Sequence, residues 1–512
     1  MKKFLLLIVL LVALVALAAC GGGSNDNDGG TTAPGGNEPA ANVTTPGNDG
    51  DDGTAAQPAA SALPPLTTEP VHLTFGTWHD IYQNEFLAEK FTARHPNITV
   101  EIIYVPLYGH TDTLTAMAAA RDLPDIFGFL DLSAPVNNGW FYDFSDFWFN
   151  DPDVNVHYLE SLREAGVIDG RAVMMVEGYL PCVVFLDRSV FERANVPMPR
   201  FNWTYEEMIA LIPELTRPDL GIFGFYNFIG PITYAPIVLT DALSEFGWDG
   251  ENYNMGIWAD TLMQMNEWQQ LGMRAAAGTD EWEALTGDRY LWPGVSGRIG
   301  MQMDAWWTLN NIYSQDHYRL ERGLDMIPYP VPRGADAQTN RKPAFLDFAG
   351  ISAATSHPRE AYEVLKWFSF NPDAWMYRIY NYEHQMNAYG ERFYRVPNRM
   401  PVTTSEEVWQ AYRLLMPDVA GDAFLAEAFD ALMRYKREPV PLGARGILGF
   451  DAWLHEVYFN GEFNGVIGIY AAVAQGAINA HDAVPYLEAR GRQFFEATLA
   501  NFRAIYGPPP AR

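Results

Sequence analysis

Arg298-Ile299-Gly300-Met301-Gln302-Met303-Asp304-Ala305-Trp306-Trp307 is the stretch from which the fold is read. Ile299, Met301 and Met303 alternate with Gly300 and Gln302, the period of two that marks a half-buried strand. The strand runs out in two tryptophans, at a strand end where side chains can face a cleft. After a helical piece, Ile327-Pro328-Tyr329-Pro330-Val331-Pro332-Arg333-Gly334 is too rich in proline for a helix or a central strand. A strand-like segment from Phe345 to Ala354 follows, and then an amphipathic helix after Ser356. Ala361, Val364, Leu365 and Phe368 share one face of that helix, with Pro358 in its first turn.

Upstream, Val71 to Gly76 alternates as a first strand, and Asp80 is placed to cap a helix carrying Phe86, Leu87 and Phe91. His95-Pro96 stops that helix, and Ile98, Val100 and Ile102 form a second strand. Strand, helix and strand at this spacing predict a βαβ unit in a parallel sheet. A helix from Asp112 to Arg121 leads to a third strand at Leu123–Phe127. Asp169-Gly170 is a turn between short strands, and the apolar run Leu180 to Leu186 leads into Asp187–Phe191. Thr204 and Glu207 make a capping box, with Met208, Leu211, Ile212 and Leu215 as the buried stripe behind it. Trp203 beside them reads as structural. The chain is mostly helical from Ser405 to the end, its last helix carrying Leu487, Phe494, Phe495, Leu499 and Phe502.

The order of strand, tryptophan, proline-rich connector and the Ile351–Ala361 strand-to-helix passage resembles the bacterial extracellular solute-binding proteins that feed sugar-importing ABC transporters, the group of the maltose-binding protein. Leu123-Pro124-Asp125-Ile126 matches a second family pattern. Val184–Phe191 resembles its crossing into the second lobe, with Leu186-Asp187 in place of Tyr-Asn. Trp203-Thr204 with Glu206 and Leu211 resembles a further signature, apart from Asn202 before the tryptophan. The resemblance implies an α/β fold of the periplasmic-binding-protein type: two α/β lobes joined by a multi-strand hinge, a ligand cleft between them, and extra C-terminal helices. It divides the chain into a lobe built from 71–181 and 347–400 and a second from 182–346 and 401–512.

The 512 residues carry a formal net charge of -29, which argues against nucleic acid or an anionic membrane surface as partner. There are two cysteines, Cys20 and Cys182, so no disulfide framework is available to the folded part. Cys182, in its apolar run, reads as a small buried hydrophobe. Lys2 and Lys3 precede the apolar run Phe4 to Ala19, too short to span a membrane and of the length of a secretory signal. Leu17-Ala18-Ala19-Cys20 resembles the lipoprotein cleavage box, so residues 1–20 are expected to be a signal peptide and Cys20 the lipidated residue. Residues 21–69 hold no aromatic, Lys or Arg and are expected to be a disordered tether, spanning on the order of 40 Å as a coil. The folded part is thereby expected on the extracytoplasmic face of the cell membrane, as a monomer held by a lipid.

No Gly-Lys pair occurs, so there is no P-loop. His455-Glu456 lacks the second histidine of a zinc protease, position 459 being Phe, and no G-x-S-x-G elbow is present. No cofactor, metal or catalytic residue is expected. A sugar cleft needs flat apolar platforms for C–H faces, and hydroxyl partners that accept strongly. The strand ends that offer both are Trp78, His79 and Asp80 after the first strand, and Phe129 and Asp131 after the third. Glu177 and Tyr179 stand before Pro181, and Asp304, Trp306 and Trp307 close the stretch quoted at the start. Neighbouring strand residues face opposite ways, so one of the two tryptophans is expected in the cleft, and the family's pattern selects Trp307. The expected function is capture of a carbohydrate, an oligosaccharide in this reading, for delivery to an ABC permease. Alternatives are a lipid-anchored carbohydrate-active enzyme, which would need two carboxylates flanking one bond, or the binding part of a membrane sensor.

Overall fold

Strands β1 (Val71–Thr77), β2 (Ile98–Tyr104) and β3 (Ile126–Phe129) pair in parallel, β1 in the middle, joined through helices α1 (Ile81–Arg94) and α2 (His110–Ala120). Alternation buries Val71, Leu73 and Phe75 on the face that α1 covers with Leu87 and Phe91. This computed structural model describes residues 63–227, 231–313, 323–384, 397–416 and 421–510. The signal run and Cys20 lie outside the described residues. The tether expected through residue 69 is ordered at its end: Leu63 and Leu66 pack on the core, and the Thr67 N–H donates to Glu360 Oε1 at 2.8 Å.

Strand β4 (Met174–Asp187) is buried at every one of its 14 residues and serves two sets of neighbours. Residues 174–181 pair antiparallel with β8 (Ala344–Ile351), which itself pairs with β3. Residues 182–187 pair instead with β6 (Ile299–Ala305) on one side and β7 (Met326–Pro330) on the other. Strand β5 (Phe223–Asn227) lies parallel outside β6. One eight-stranded sheet results, in the order β2-β1-β3-β8-β4-β6-β5 with β7 beside β4. β7 carries Pro328 and Pro330 without penalty because it lies at an edge. The chain passes from one half of the molecule to the other at Pro181-Cys182.

The short helix α3 (Ser133–Asn137) follows β3, and α4 (Tyr205–Leu215) begins with the capping box: Glu207 N–H donates to Thr204 Oγ1 and Thr204 N–H to the Glu207 carboxylate. Helix α6 (Pro358–Ser369) covers the sheet at β4 and β8, α7 (Pro372–His384) packs on α1, and α5 (Gly256–Gln270) packs on other helices; Ala361, Val364, Leu365 and Phe368 of α6 are wholly buried, as their spacing demands. Trp203 is buried and donates its indole N–H to Pro330 O. Helix α8 (Ala423–Met433) packs on β7, and the segment after it returns to the crossing point. There the Tyr435 hydroxyl accepts from Val331 N–H at 2.8 Å and donates to Cys182 O at 3.1 Å. The last helix, α9 (Ala480–Tyr506), expected on the second half, touches both: it packs on α5 and on α3.

Tyr435→Phe keeps the ring but leaves a buried N–H and a buried carbonyl without partners at the crossing. It is expected to lower unfolding stability by about 2–3 kcal/mol in urea titration, with unchanged secondary structure.

Candidate ligand-binding site

After β1 the backbone turns sharply, with Asp80 at φ 49°. The residue does not cap α1, as its position suggested, because its carboxylate is occupied elsewhere. Asp80 Oδ2 accepts from Arg399 at 3.3 Å and from the Tyr382 hydroxyl at 3.2 Å. Arg399 is 2% exposed and is the centre of the group. Its Nη1 lies 2.6 Å from Glu177 Oε2, and its Nη2 donates to His79 Nδ1. His79 Nε2 is 2.9 Å from Glu177 Oε1. The same nitrogen is 3.9 Å from Asp347 Oδ2, and Arg445 Nη1 lies 2.6 Å from Asp347 Oδ1.

Glu177 reaches this group because β4 bulges there. Gly178 pairs with Asp347 and Val176 with Phe348, which leaves Glu177 as the extra residue. Gly178 is required opposite: a Cβ on it would stand 3.0 Å from the Asp347 side chain. Burial by itself would raise the Glu177 carboxyl, but Arg399 and His79 outweigh it and bring it down to about 2. The same guanidinium, with His79 and Arg378, holds Asp80 below the ordinary range against its burial.

Trp78 lies partly exposed beside the network, edge-on to His79 at 4.8 Å and to His110 at 4.9 Å. It rests on Gly128, where a Cβ would meet its ring at 2.7 Å. Asp131 is half-buried, accepts from Ser133 N–H, and shares a hydrogen bond with Asp451, whose carboxyl is driven well up by burial and by Asp131. On the other half, Trp307 is half-buried with its ring 5.0 Å from Phe345. Phe345 and Asp347 are two apart on β8 and so share a face. Trp307, Phe345, Asp347, His79 and Trp78 therefore form one row that begins on the second half and ends on the first.

Four of the residues singled out from sequence lie elsewhere. Trp306 is fully buried, with its indole N–H on Pro397 O. Phe129 is in the core against Phe141 and Phe348. Tyr179 is wholly buried. Asp304 is also buried, and its carboxyl is pushed up to about 6 by that burial, against donors from Thr308, Ala305 N–H and Gln302. Sequence reasoning missed Arg399, Asp347, Phe345 and Arg445. Phe345 and Asp347 carried a signal, the i, i+2 spacing on a strand already recognised; Arg399 lies in a loop and Arg445 in a single 3-10 turn, neither with any periodicity.

The family described as bacterial extracellular solute-binding protein matches residues 76–374. No curated protein matches the chain. Among solved structures, the chain is similar to an ABC substrate-binding protein from Listeria monocytogenes in complex with cycloalternan, at 17% identity and a TM-score of 0.56, covering 86% of this chain and 100% of that one. It is similar to a sugar transporter from Rhizobium etli in an open conformation, at 14% identity and a TM-score of 0.57, covering 82% and 99%. The sugar-binding protein MalE of Xanthomonas citri gives 15% identity and a TM-score of 0.55, covering 85% and 99%. These likenesses show the fold, two α/β halves with a shared hinge.

Arg399→Met removes the cation from between two buried carboxylates and is expected to cost about 3–5 kcal/mol of stability by urea denaturation. Glu245, whose Oε2 accepts from Ala444 N–H next to Arg445, is pushed by burial from 4.5 to about 7. A raised carboxyl contributes its stability below pH 4.5 and loses it as pH rises through 7. Glu245→Gln is therefore expected to add about 1–3 kcal/mol at pH 8 and almost nothing at pH 4. Equal gains at both values would rule out this titration.

Proposed function

The chain belongs to the bacterial extracellular solute-binding proteins, and from that premise we propose that it captures a carbohydrate, an oligosaccharide in our reading, for an ABC importer. The observation that carries this is the row Trp307–Phe345–Asp347–His79–Trp78, which alternates flat rings with fixed polar groups across the two halves. Sugars present such a surface with C–H faces for the rings and hydroxyls for the carboxylates and imidazole. The ion network behind the row keeps Asp347 and His79 in place without a ligand, so little ordering is left for binding to accomplish. Asp131, on the first half, adds a further acceptor at the edge.

In this reading the two halves are lobes, 71–181 with 347–400 and 182–346 with 401–512, that close on the ligand about Pro181-Cys182. The protein works outside the cytoplasm as a monomer, tethered by a lipid on Cys20, and hands its cargo to permease subunits. It performs no chemistry on the sugar. A micromolar complex corresponds to about -8 kcal/mol, within reach of two stacked rings and a few hydrogen bonds.

Calorimetry against a panel of oligosaccharides tests the reading. A ligand at a hundredfold its dissociation constant is expected to stabilise the protein by about 2.7 kcal/mol. Trp307→Ala is expected to weaken that ligand by about tenfold or more with the melting temperature preserved. Unchanged affinity would remove Trp307 from the site, and a panel with no saturable binder would remove the sugar.

A further inference from the structure

A cavity of about 730 Å³ opens on the second half and shares no residue with the row described above. That volume falls in the range of about 300–1,000 Å³ usual for small-molecule sites. Its walls are the loop before α4, the end of β7 and the connector beyond it, and helix α8 with the turn that follows. Trp203 and Tyr435 supply apolar wall. Its charged lining is Arg200, Arg333, Lys342 and Arg434, against the acids Glu427 and Glu438. The chain as a whole has 63 acids to 34 Lys and Arg, so this basic lining runs against the composition.

Lys342 is the informative residue. It is 2% exposed, its ammonium donates to Val331 O at 2.7 Å, and it stands 5.5 Å over the Tyr435 ring. Among the described residues no carboxylate lies within ion-pair distance of it. Two other buried cations are matched: Lys366 has Asp151 at 2.7 Å and Asp153 at 2.8 Å, and Arg399 has Glu177 at 2.6 Å, whereas Arg378, also buried, leaves Nε and Nη1 without a hydrogen-bond partner among the described residues. Burial, with Arg434 and Arg333 adding to it and Glu438 opposing, brings Lys342 down to about 7. A buried ammonium with one carbonyl partner and two guanidinium neighbours is costly unless an anion completes it. Arg333 and Arg434 stand exposed on the same wall, able to take an incoming phosphate or carboxylate through paired N–H groups.

We propose that this pocket binds a small soluble polyanion, whose phosphate or carboxylate groups are received by Lys342, Arg333 and Arg434. The site is distinct from the carbohydrate groove. Titration calorimetry of the full chain with pyrophosphate, and separately with citrate, at an ionic strength fixed by potassium chloride, is expected to show saturable one-to-one binding of at least one of them. R333Q/R434Q changes exposed positions, and is expected to weaken that binding by about tenfold or more with the melting temperature unchanged. Lys342→Met, nearly equal in volume, is expected to do the same. Heats no greater than those of chloride for both anions would overturn the proposal. So would undiminished binding by R333Q/R434Q, which decides the matter if Lys342→Met does not fold. Oligosaccharide affinity of R333Q/R434Q is expected to match the parent, so the outcome here is separate from the outcome for the groove.

Discussion

A strand buried along its whole length must find partners for its backbone on both flanks, and β4 does so in two different ways. From Cys182 to Asp187 it has a strand on each side. From Met174 to Pro181 it has β8 on one side, and the other flank is completed largely by side chains. The Val176 N–H donates to the Tyr158 hydroxyl, Ser369 Oγ donates to Val176 O, and Met400 N–H donates to Tyr179 O. Arg399 Nη1 sits 3.3 Å from Glu177 O as well as on the Glu177 carboxylate. The guanidinium that closes the backbone account of the shared strand is thus the one that orders His79 and Asp80 at the mouth of the groove.

That dual use fixes the electrostatics. Glu177 is ionised far below its ordinary value because a buried cation is already committed beside it. Glu245 and Asp304, buried with hydrogen-bond donors and no adjoining guanidinium in contact, move the other way, to about 7 and about 6. The two groups of acids therefore oppose each other in pH: the first favours folding above the acid range, the second below neutrality.

The alternation of β1 and β2 was legible because one face is more buried than the other. β6, read as a half-buried strand, is instead buried at all seven residues, with Gln302 donating to the Asp304 carboxylate on its second face. The capping box at Thr204 and the buried stripe of α6 were legible because each is a local pattern with a local cause. Glu177 and Tyr179 look equivalent in sequence, two apart on a strand, yet the bulge at Glu177 turns it into the ion network while Tyr179, back in regular register, lies in the core. Trp306 and Trp307 are adjacent, and it is the end of β6 and the start of a helix at Trp307 that separates a wholly buried ring from a half-buried one packed on Phe345. Asp80 has the composition of a helix cap, and loses that role to an arginine more than three hundred residues along the chain. Pairings of that length leave no trace in a window of neighbouring residues.

The last helix adds a constraint that the family match over residues 76–374 does not include. α9 has 27 residues, about 40 Å of rigid rod. Near its start Glu488 accepts from Met255 N–H at 2.7 Å on the second half. Near its end Arg503 grips Asp169 at 2.7 Å, and the Tyr506 hydroxyl bonds both the N–H and the carbonyl of Phe141 on the first half. Under the closure proposed above, rotation about Pro181-Cys182 would have to release one of these ends or bend the rod. The Arg503–Asp169 pair is 47% exposed on the arginine side and contributes little. Two hydrogen bonds at about 1 kcal/mol each make up most of the polar tie. That is small beside the free energy of the micromolar ligand proposed above, so in that reading the helix would shift the balance between open and closed states without fixing it.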